Sequence, residues 1–142
     1  MIHIEQIPPQ EAQQRLDADE DWILVDVRSV EEYRMGHPPG AFNVPWALQG
    51  PRGLVANPEF VEVMQRLFLP SQKLILSCRS GNRSNHAAHA LTEMGYETCV
   101  NMAGGMVGSR DMLGRISVVG WTAAVGEIEE GDPPGRSYHE LS

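Results

Sequence analysis

The chain has 142 residues, with 11 Lys and Arg against 19 Asp and Glu, for a net charge of −8. One domain fits that length, and a chain near this size buries about 68–70% of its unfolded surface. Apolar residues at 42% and charged residues at 21% exclude disorder as the main state, and the acidic balance excludes nucleic acid and anionic membranes as general partners, since both need a basic surface.

No apolar run approaches the roughly 20 residues that span a bilayer. The longest pure clusters are Ile23-Leu24-Val25 and Leu74-Ile75-Leu76. The opening MIHIEQIPPQ lacks the basic-then-apolar pattern of a secretory signal. Cys78 and Cys99 make no disulfide framework. A reducing cytoplasm is therefore the expected compartment, where a single cysteine matters for its reactivity.

Strand-like and helix-like segments alternate along the chain. Residues 1–7 alternate apolar and polar as a short strand does, Pro8-Pro9 stops them, and a polar helix with Ala12 and Leu16 inward follows. Residues 22–27 (WILVDV) read as a buried strand. Ser29 and Glu32 form a capping box that starts a short helix, which His37-Pro38-Pro39-Gly40 breaks. Residues 41–45 read as a short strand and 49–56 as loop. Asn57 followed by Pro58 predicts a helix N-terminus, with Phe60, Val61, Met64, Leu67 and Phe68 on one face.

Pro70 ends that helix, and 73–77 is the next strand. Residues 78–83 are a short polar loop, and Ala87, Ala90, Leu91 and Met94 mark an amphipathic helix ended by Gly95. Residues 97–102 form a last strand before a Gly104-Gly105 turn. Residues 106–120, with Gly108, Gly114, Arg110 and Arg115, read as an ordered excursion without regular structure. The expectation is one domain over 1–126, with 127–142 as an extended strap on the surface. The alternation predicts an α/β domain with a mostly parallel sheet, whose ligand site lies at the carboxyl ends of the strands.

The run Cys-Arg-Ser-Gly-Asn-Arg, placed between a strand and a helix, carries the chemistry. A cysteine there sits among unpaired backbone N–H groups that favour negative charge. Arg79 and Arg83 add fixed positive charge, and each effect favours the thiolate. The same groups form a pocket for an oxyanion, and Gly81 permits the dihedrals that turn successive N–H groups inward. A free cysteine ending a strand is often only a small core residue, and Ser80, Asn82 and Ser84 serve equally as caps and turn formers; at Cys78 three features that raise reactivity coincide.

Phosphate ester hydrolysis and sulfur transfer both use such a loop. Cysteine phosphatases use C-x5-R around a tetrahedral phosphoryl group, whereas Cys78 to Arg83 is C-x4-R, a shorter ring that suits a single sulfane sulfur. A phosphatase also needs a general acid, and the nearest candidate, Asp26, reads as structural.

Five separated motifs lie in order across residues 22–106: V-D-V-R-S-V-E-E-Y (25–33), G-H-P-P-G-A-F-N-V-P (36–45), L-S-C-R-S-G-N-R-S (76–84), G-Y (95–96) and N-M-A-G-G-M (101–106). Together they resemble the rhodanese family, specifically single-domain sulfurtransferases. The resemblance implies a rhodanese-like α/β fold, with a central, mostly parallel five-stranded sheet and helices on both faces. It implies that Cys78 attacks the outer sulfur of thiosulfate or a similar donor, that sulfite leaves, and that a thiol or cyanide takes the sulfur from a Cys78 persulfide.

In that scheme the N–H groups from Arg79 through Ser80, Gly81, Asn82 and Arg83 to Ser84 stabilise the persulfide. Arg79 and Arg83 hold the donor's oxyanion, and Asp26 and Arg28 orient neighbouring loops. No metal or organic cofactor is implied. The implied partners are a small anionic sulfur donor and a thiol acceptor, with a protein donor or acceptor as the variant. A persulfide relay module fed by a desulfurase is the alternative, and a related-fold phosphatase or arsenate reductase stands behind both.

Two departures stand out. Pro38 occupies a position usually apolar, and the Trp that usually follows the Gly-Gly turn closely comes only at Trp121. The intervening excursion is expected near the rim of the Cys78 pocket, where Arg110 and Arg115 either extend the positive surface towards an anionic thiol or are ordinary solvated arginines. Cys99 is expected in the core, as are Met94, Met102 and Met106. His86 and His89 have a spacing that permits metal binding, but no further ligand cluster accompanies them.

Overall fold

The computed structural model describes residues 2–142. β1 (Glu5–Ile7) leads into α1 (Pro9–Ala18), whose first position tolerates proline because that N–H has no intrahelical partner. β2 (Trp22–Asp26) is followed by α2 (Val30–Met35), held by the capping box: Glu32 N donates to Ser29 Oγ at 3.2 Å and Ser29 N to Glu32 Oε1 at 3.2 Å. β3 (Phe42–Asn43) comes next.

Residues 49–56 are not a loop. β4 (Ala47–Gly50) and β5 (Gly53–Ala56) pair antiparallel, closed by a turn between two glycines. Leu54 and Val55 stay exposed, so the one-sided alternation that announces a half-buried strand is missing. α3 (Phe60–Leu67) starts later than the Asn57-Pro58 signal implied, because Asn57 closes a turn of its own. Its Oδ1 accepts from Glu59 N at 3.1 Å, and its Nδ2 donates to Pro45 O at 2.9 Å.

β6 (Lys73–Ser77), α4 (Asn82–Glu93) and β7 (Thr98–Met102) follow. The excursion contains a small hairpin, β8 (Ser109–Arg110) with β9 (Ile116–Val118). α5 (Trp121–Ala124) and α6 (Tyr138–Leu141) complete the order.

The main sheet runs β1-β7-β6-β2-β3, and every pairing in it is parallel. Alternation along its strands sorts side chains into two cores. Val25, Leu74 and Leu76 face a cluster with Phe60, Met64, Ala87, Leu91 and Tyr138. Leu24, Ile75 and Val100 face the other side, with Ala12, Tyr33, Met106 and Trp121. Helices α3, α4 and α6 thus cover one face and α1, α2 and α5 the other, so the middle strands are apolar on both sides.

One expectation changes. Met94 is 52% exposed at the end of α4, whereas Met102 and Met106 are buried. Residues 127–142 run largely exposed over the surface, anchored to the body by a few buried residues. Glu129 pairs with His37 through two backbone hydrogen bonds, Asn43 N donates to Arg136 O at 2.9 Å, and Tyr138 enters the core, where its hydroxyl accepts from Asn57 Nδ2 at 3.0 Å. The signal is a single aromatic residue in a polar, Pro/Gly-rich stretch, too sparse for periodicity to register. Among the described residues, no helix is long and apolar enough to cross a membrane.

Tyr138→Ala is expected to lower unfolding stability by about 3 kcal/mol in urea titration, as loss of a buried aromatic side chain does. A change below about 0.5 kcal/mol, ordinary for a surface position, would contradict that anchoring.

Candidate active site

Cys78 follows β6, the middle strand of the sheet, and its side chain is buried. The chain then turns sharply into α4. Gly81 takes φ 111° at the turn, a left-handed conformation that suits glycine, and its N–H donates to Cys78 Sγ at 3.1 Å. Ser84 N lies 3.4 Å and Ser84 Oγ 3.3 Å from the same sulfur. Three donors therefore converge on Sγ from the first turn of a helix, where the aligned dipoles also favour negative charge.

The loop is pinned from behind. Met106 N donates to Cys78 O and Val107 N to Arg79 O, each at 2.9 Å. A Cβ on Gly105 would lie 2.4 Å from Cys78 O, so the Gly104-Gly105 turn and the Cys78 loop approach as closely as backbones can.

A polar relay that runs from the buried Ser84 and Asn101 out to the exposed Gln6 supports the serine. Ser84 Oγ is 2.6 Å from Asn101 Oδ1, to which it donates; Asn101 Nδ2 donates to Gln6 Oε1 at 2.7 Å, and Gln6 Nε2 to Asn85 Oδ1 at 2.8 Å. A hydroxyl has one proton, so donation to Asn101 leaves the two backbone N–H groups as the standing donors to Sγ. Asn101 and Gln6 were missed by sequence reasoning. The available signal was a polar residue ending a buried strand beside the Gly-Gly turn.

The two loop arginines differ. Arg83 meets Glu32 in a fork, with Nη1–Oε1 at 2.7 Å and Nη2–Oε2 at 2.9 Å. Its fixed positive charge stands near Cys78. Burial pushes the Glu32 carboxyl up, but the hydrogen bonds and charge of Arg83, with the Ser29 N–H and hydroxyl, outweigh it and bring Glu32 down to about 2. Arg79 is exposed and has no carboxylate partner among the described residues. Of the two, Arg79 therefore has the guanidinium free to receive a ligand.

Asp26 and Arg28 form a buried pair: Arg28 Nη2 donates to Asp26 Oδ2 at 2.7 Å and to Gly36 O at 2.6 Å. Their polar atoms satisfy one another and anchor the turn after α2. Both carboxylate oxygens of Asp26 are engaged by Arg28, and Asp26 lines neither cavity at the Cys78 loop. His86 is exposed on α4, and Cys99 is buried in β7, where burial pushes its thiol up to about 11.

Two cavities open at the loop. One of about 230 Å³ is lined by Gln6, Ser80, Gly81, Asn82, Asn85 and Asn101, among others. Another of about 350 Å³ is lined by Arg79, Ser80, Val107, Gly108 and Arg110. Arg115 pairs with Asp111 at 3.0 Å instead. A larger cavity, about 490 Å³, opens around Trp22 and Trp121, with no residue of the Cys78 loop in its lining.

The profile of the rhodanese-like domain matches residues 8–111. Rhodanese-like domain-containing protein 17 of Arabidopsis thaliana is 40% identical over 99 residues, 68% of this chain and 62% of that protein. Thiosulfate sulfurtransferase 18 of the same plant is 39% identical over 83 residues, 57% of this chain and 61% of that one. The chain thus spans less than two thirds of the length of either relative. The crystal structure of Rv0390 from M. tuberculosis aligns with a TM-score of 0.74 at 31% identity, over 92% of this chain and 100% of that one.

The Glu32–Arg83 pair gives a pH dependence. Because the folded state holds Glu32 below its ordinary 4.5, its contribution is complete above that value and is lost as pH falls towards 2. Glu32→Gln is expected to cost about 1–2 kcal/mol at pH 7, between the values for exposed and buried pairs. The gap between variant and wild type should close as urea titrations are repeated down to pH 2.

Proposed function

The chain belongs to the rhodanese-like domain family, and we propose that it is a sulfurtransferase working through a persulfide on Cys78. One observation carries this reading: an anion-stabilising set of N–H donors converges on a single cysteine sulfur inside a six-residue ring, Cys78 to Arg83.

The Cys78 thiolate attacks the outer sulfur of thiosulfate or a similar donor. The donor's S–S bond breaks, sulfite leaves with the bonding electrons, and the sulfur remains on Sγ as a persulfide. An acceptor thiolate then attacks the outer persulfide sulfur, and Cys78 departs as thiolate. Gly81 N and Ser84 N offset charge on sulfur at both steps. Ser84 Oγ turns from Asn101 towards sulfur when sulfur carries charge, and Asn101 holds the hydroxyl in place between turnovers. Arg79 meets the oxyanion of the donor. Asp26 and Arg28 act at a distance, by fixing the turn after α2.

Phosphate ester hydrolysis fits less well. The ring is one residue short for a phosphoryl group, and the nearest candidate acid, Asp26, has both carboxylate oxygens engaged by Arg28. A reducing compartment, the cytoplasm, suits a nucleophile that must stay a free thiol.

Incubation with thiosulfate, followed by intact mass measurement, tests the reading. The wild type and Cys99→Ser should each gain one sulfur atom, removable by cyanide, and Cys78→Ser none. Loss of the nucleophile should lower turnover at least about 10³-fold. An adduct that persists in Cys78→Ser would refute the assignment. A wild type that takes sulfur only from a cysteine desulfurase would replace thiosulfate turnover by relay. Asn101→Leu should slow the loading step about tenfold, a loss of one hydrogen-bonded support, while the variant remains folded by circular dichroism.

A further inference from the structure

All but four of the chain's Lys and Arg residues pair with a carboxylate among the described residues; the four are Arg52, Arg66, Arg79 and Arg110. Two of these four line the same cavity, the one of about 350 Å³ that also carries Ser80, Val107 and Gly108. No acidic side chain lines it among the described residues. In a chain of net charge −8, this is a local reversal of field.

The cavity is tied to the nucleophile by backbone. Val107 N bonds Arg79 O and Met106 N bonds Cys78 O, so the base of the β8–β9 hairpin is anchored to the loop. Arg110 Nη1 donates to Gly114 O at 2.7 Å. That bond steadies the side chain and leaves the other guanidinium donors for a ligand. Ser80 lines this cavity and the amide-lined one alike.

At about 30 Å³ per water, the space holds about a dozen waters, and its volume lies at the lower end of the range for small-molecule sites. That exceeds what a departing sulfite alone requires.

We propose that Arg79 and Arg110 form an anion subsite that selects the sulfur acceptor, a small thiol bearing a carboxylate or phosphate, with Arg110 as the specificity-determining residue. This rests on the sulfur-transfer reading and names the substrate class of its second half. The acceptor's thiol proton goes to solvent, and its thiolate attacks the outer sulfur of the Cys78 persulfide. The S–S bond breaks, its electrons return to Sγ, and the acceptor leaves as an anionic persulfide. No oxidant or reductant enters.

The test separates the two half-reactions. Protein loaded with sulfur and desalted is mixed with 3-mercaptopropionate, 2-mercaptoethanol or cysteamine, which carry negative, no and positive charge. Rates of sulfur loss are followed by intact mass and scaled to thiolate concentration. The wild type should prefer 3-mercaptopropionate. Arg110→Gln should slow that thiol about three- to tenfold, the range for losing a partly solvated charged hydrogen bond, and slow 2-mercaptoethanol less than about twofold. Arg52→Gln, which removes the same charge from the β4–β5 turn, should keep the wild-type ratio. Equal losses for all three thiols in Arg110→Gln, or the same change in Arg52→Gln, would overturn the proposal.

Loading is read on its own, so a wild type that gains no sulfur contradicts the sulfur-transfer reading alone. The subsite is then decided by alkylation of Cys78. Arg110→Gln should lower the iodoacetate-to-iodoacetamide rate ratio severalfold, and an unchanged ratio would refute it.

Discussion

The close approach of the Gly104-Gly105 turn to the Cys78-Arg79 backbone constrains everything else at the site. A side chain on Gly105 would strike Cys78 O and Arg79 C within 2.6 Å, so only glycine allows the two backbones to meet. Once they meet, Met106 and Val107 satisfy the carbonyls of Cys78 and Arg79. Those carbonyls are thereby directed away from the sulfur. The N–H side of the loop is left facing Sγ, and Gly81 in its left-handed conformation completes the turn into α4. A parallel sheet contributes the rest: it delivers Cys78 at the carboxyl end of its central strand, against a helix N-terminus, with apolar layers on both faces.

Around that constraint the polar groups are arranged in closed sets. Asp26, Arg28 and the Gly36 carbonyl satisfy one another, as do Glu32, Arg83 and Ser29. Ser84, Asn101 and Gln6 make a third set that ends on Cys78 Sγ. Each would be costly to bury half-satisfied, so together they fix the loop in one geometry before any ligand arrives. Preorganised donors of this kind need no rearrangement when charge develops. Arg79 and Arg110 stand outside these sets.

Much of this was legible from local patterns. The run Lys73 to Ser77, the Ser29–Glu32 box and the Gly95 stop each have a short-range cause, and each stands where its residues predicted. The placement of the Cys78 loop was legible for the same reason, because a cysteine between an apolar strand and a helix start is a local arrangement. Long-range features were not. Nothing near Arg83 in sequence indicates that Glu32, 51 residues earlier, occupies its guanidinium. Asn101 and Gln6 meet across neighbouring strands β7 and β1, whose pairing depends on the whole sheet order. Tyr138 enters the core from a tail whose composition reads as surface, and β8–β9 closes through a turn with one glycine, Gly114, amid exposed apolar side chains, without the alternation that marks a buried face.

In the proposed sulfur transfer, backbone N–H groups of the loop hold a negatively charged sulfur on Cys78. Amide proton and nitrogen shifts of the uniformly labelled protein, recorded before and after thiosulfate is added, test this directly. The resonances of Arg79 to Ser84 are expected to move as one block, with Gly81 and Ser84 shifting furthest in the direction of stronger hydrogen bonding. Shifts confined to Cys78 and its immediate neighbours, with Gly81 and Ser84 unmoved while mass measurement shows sulfur on Cys78, would contradict it.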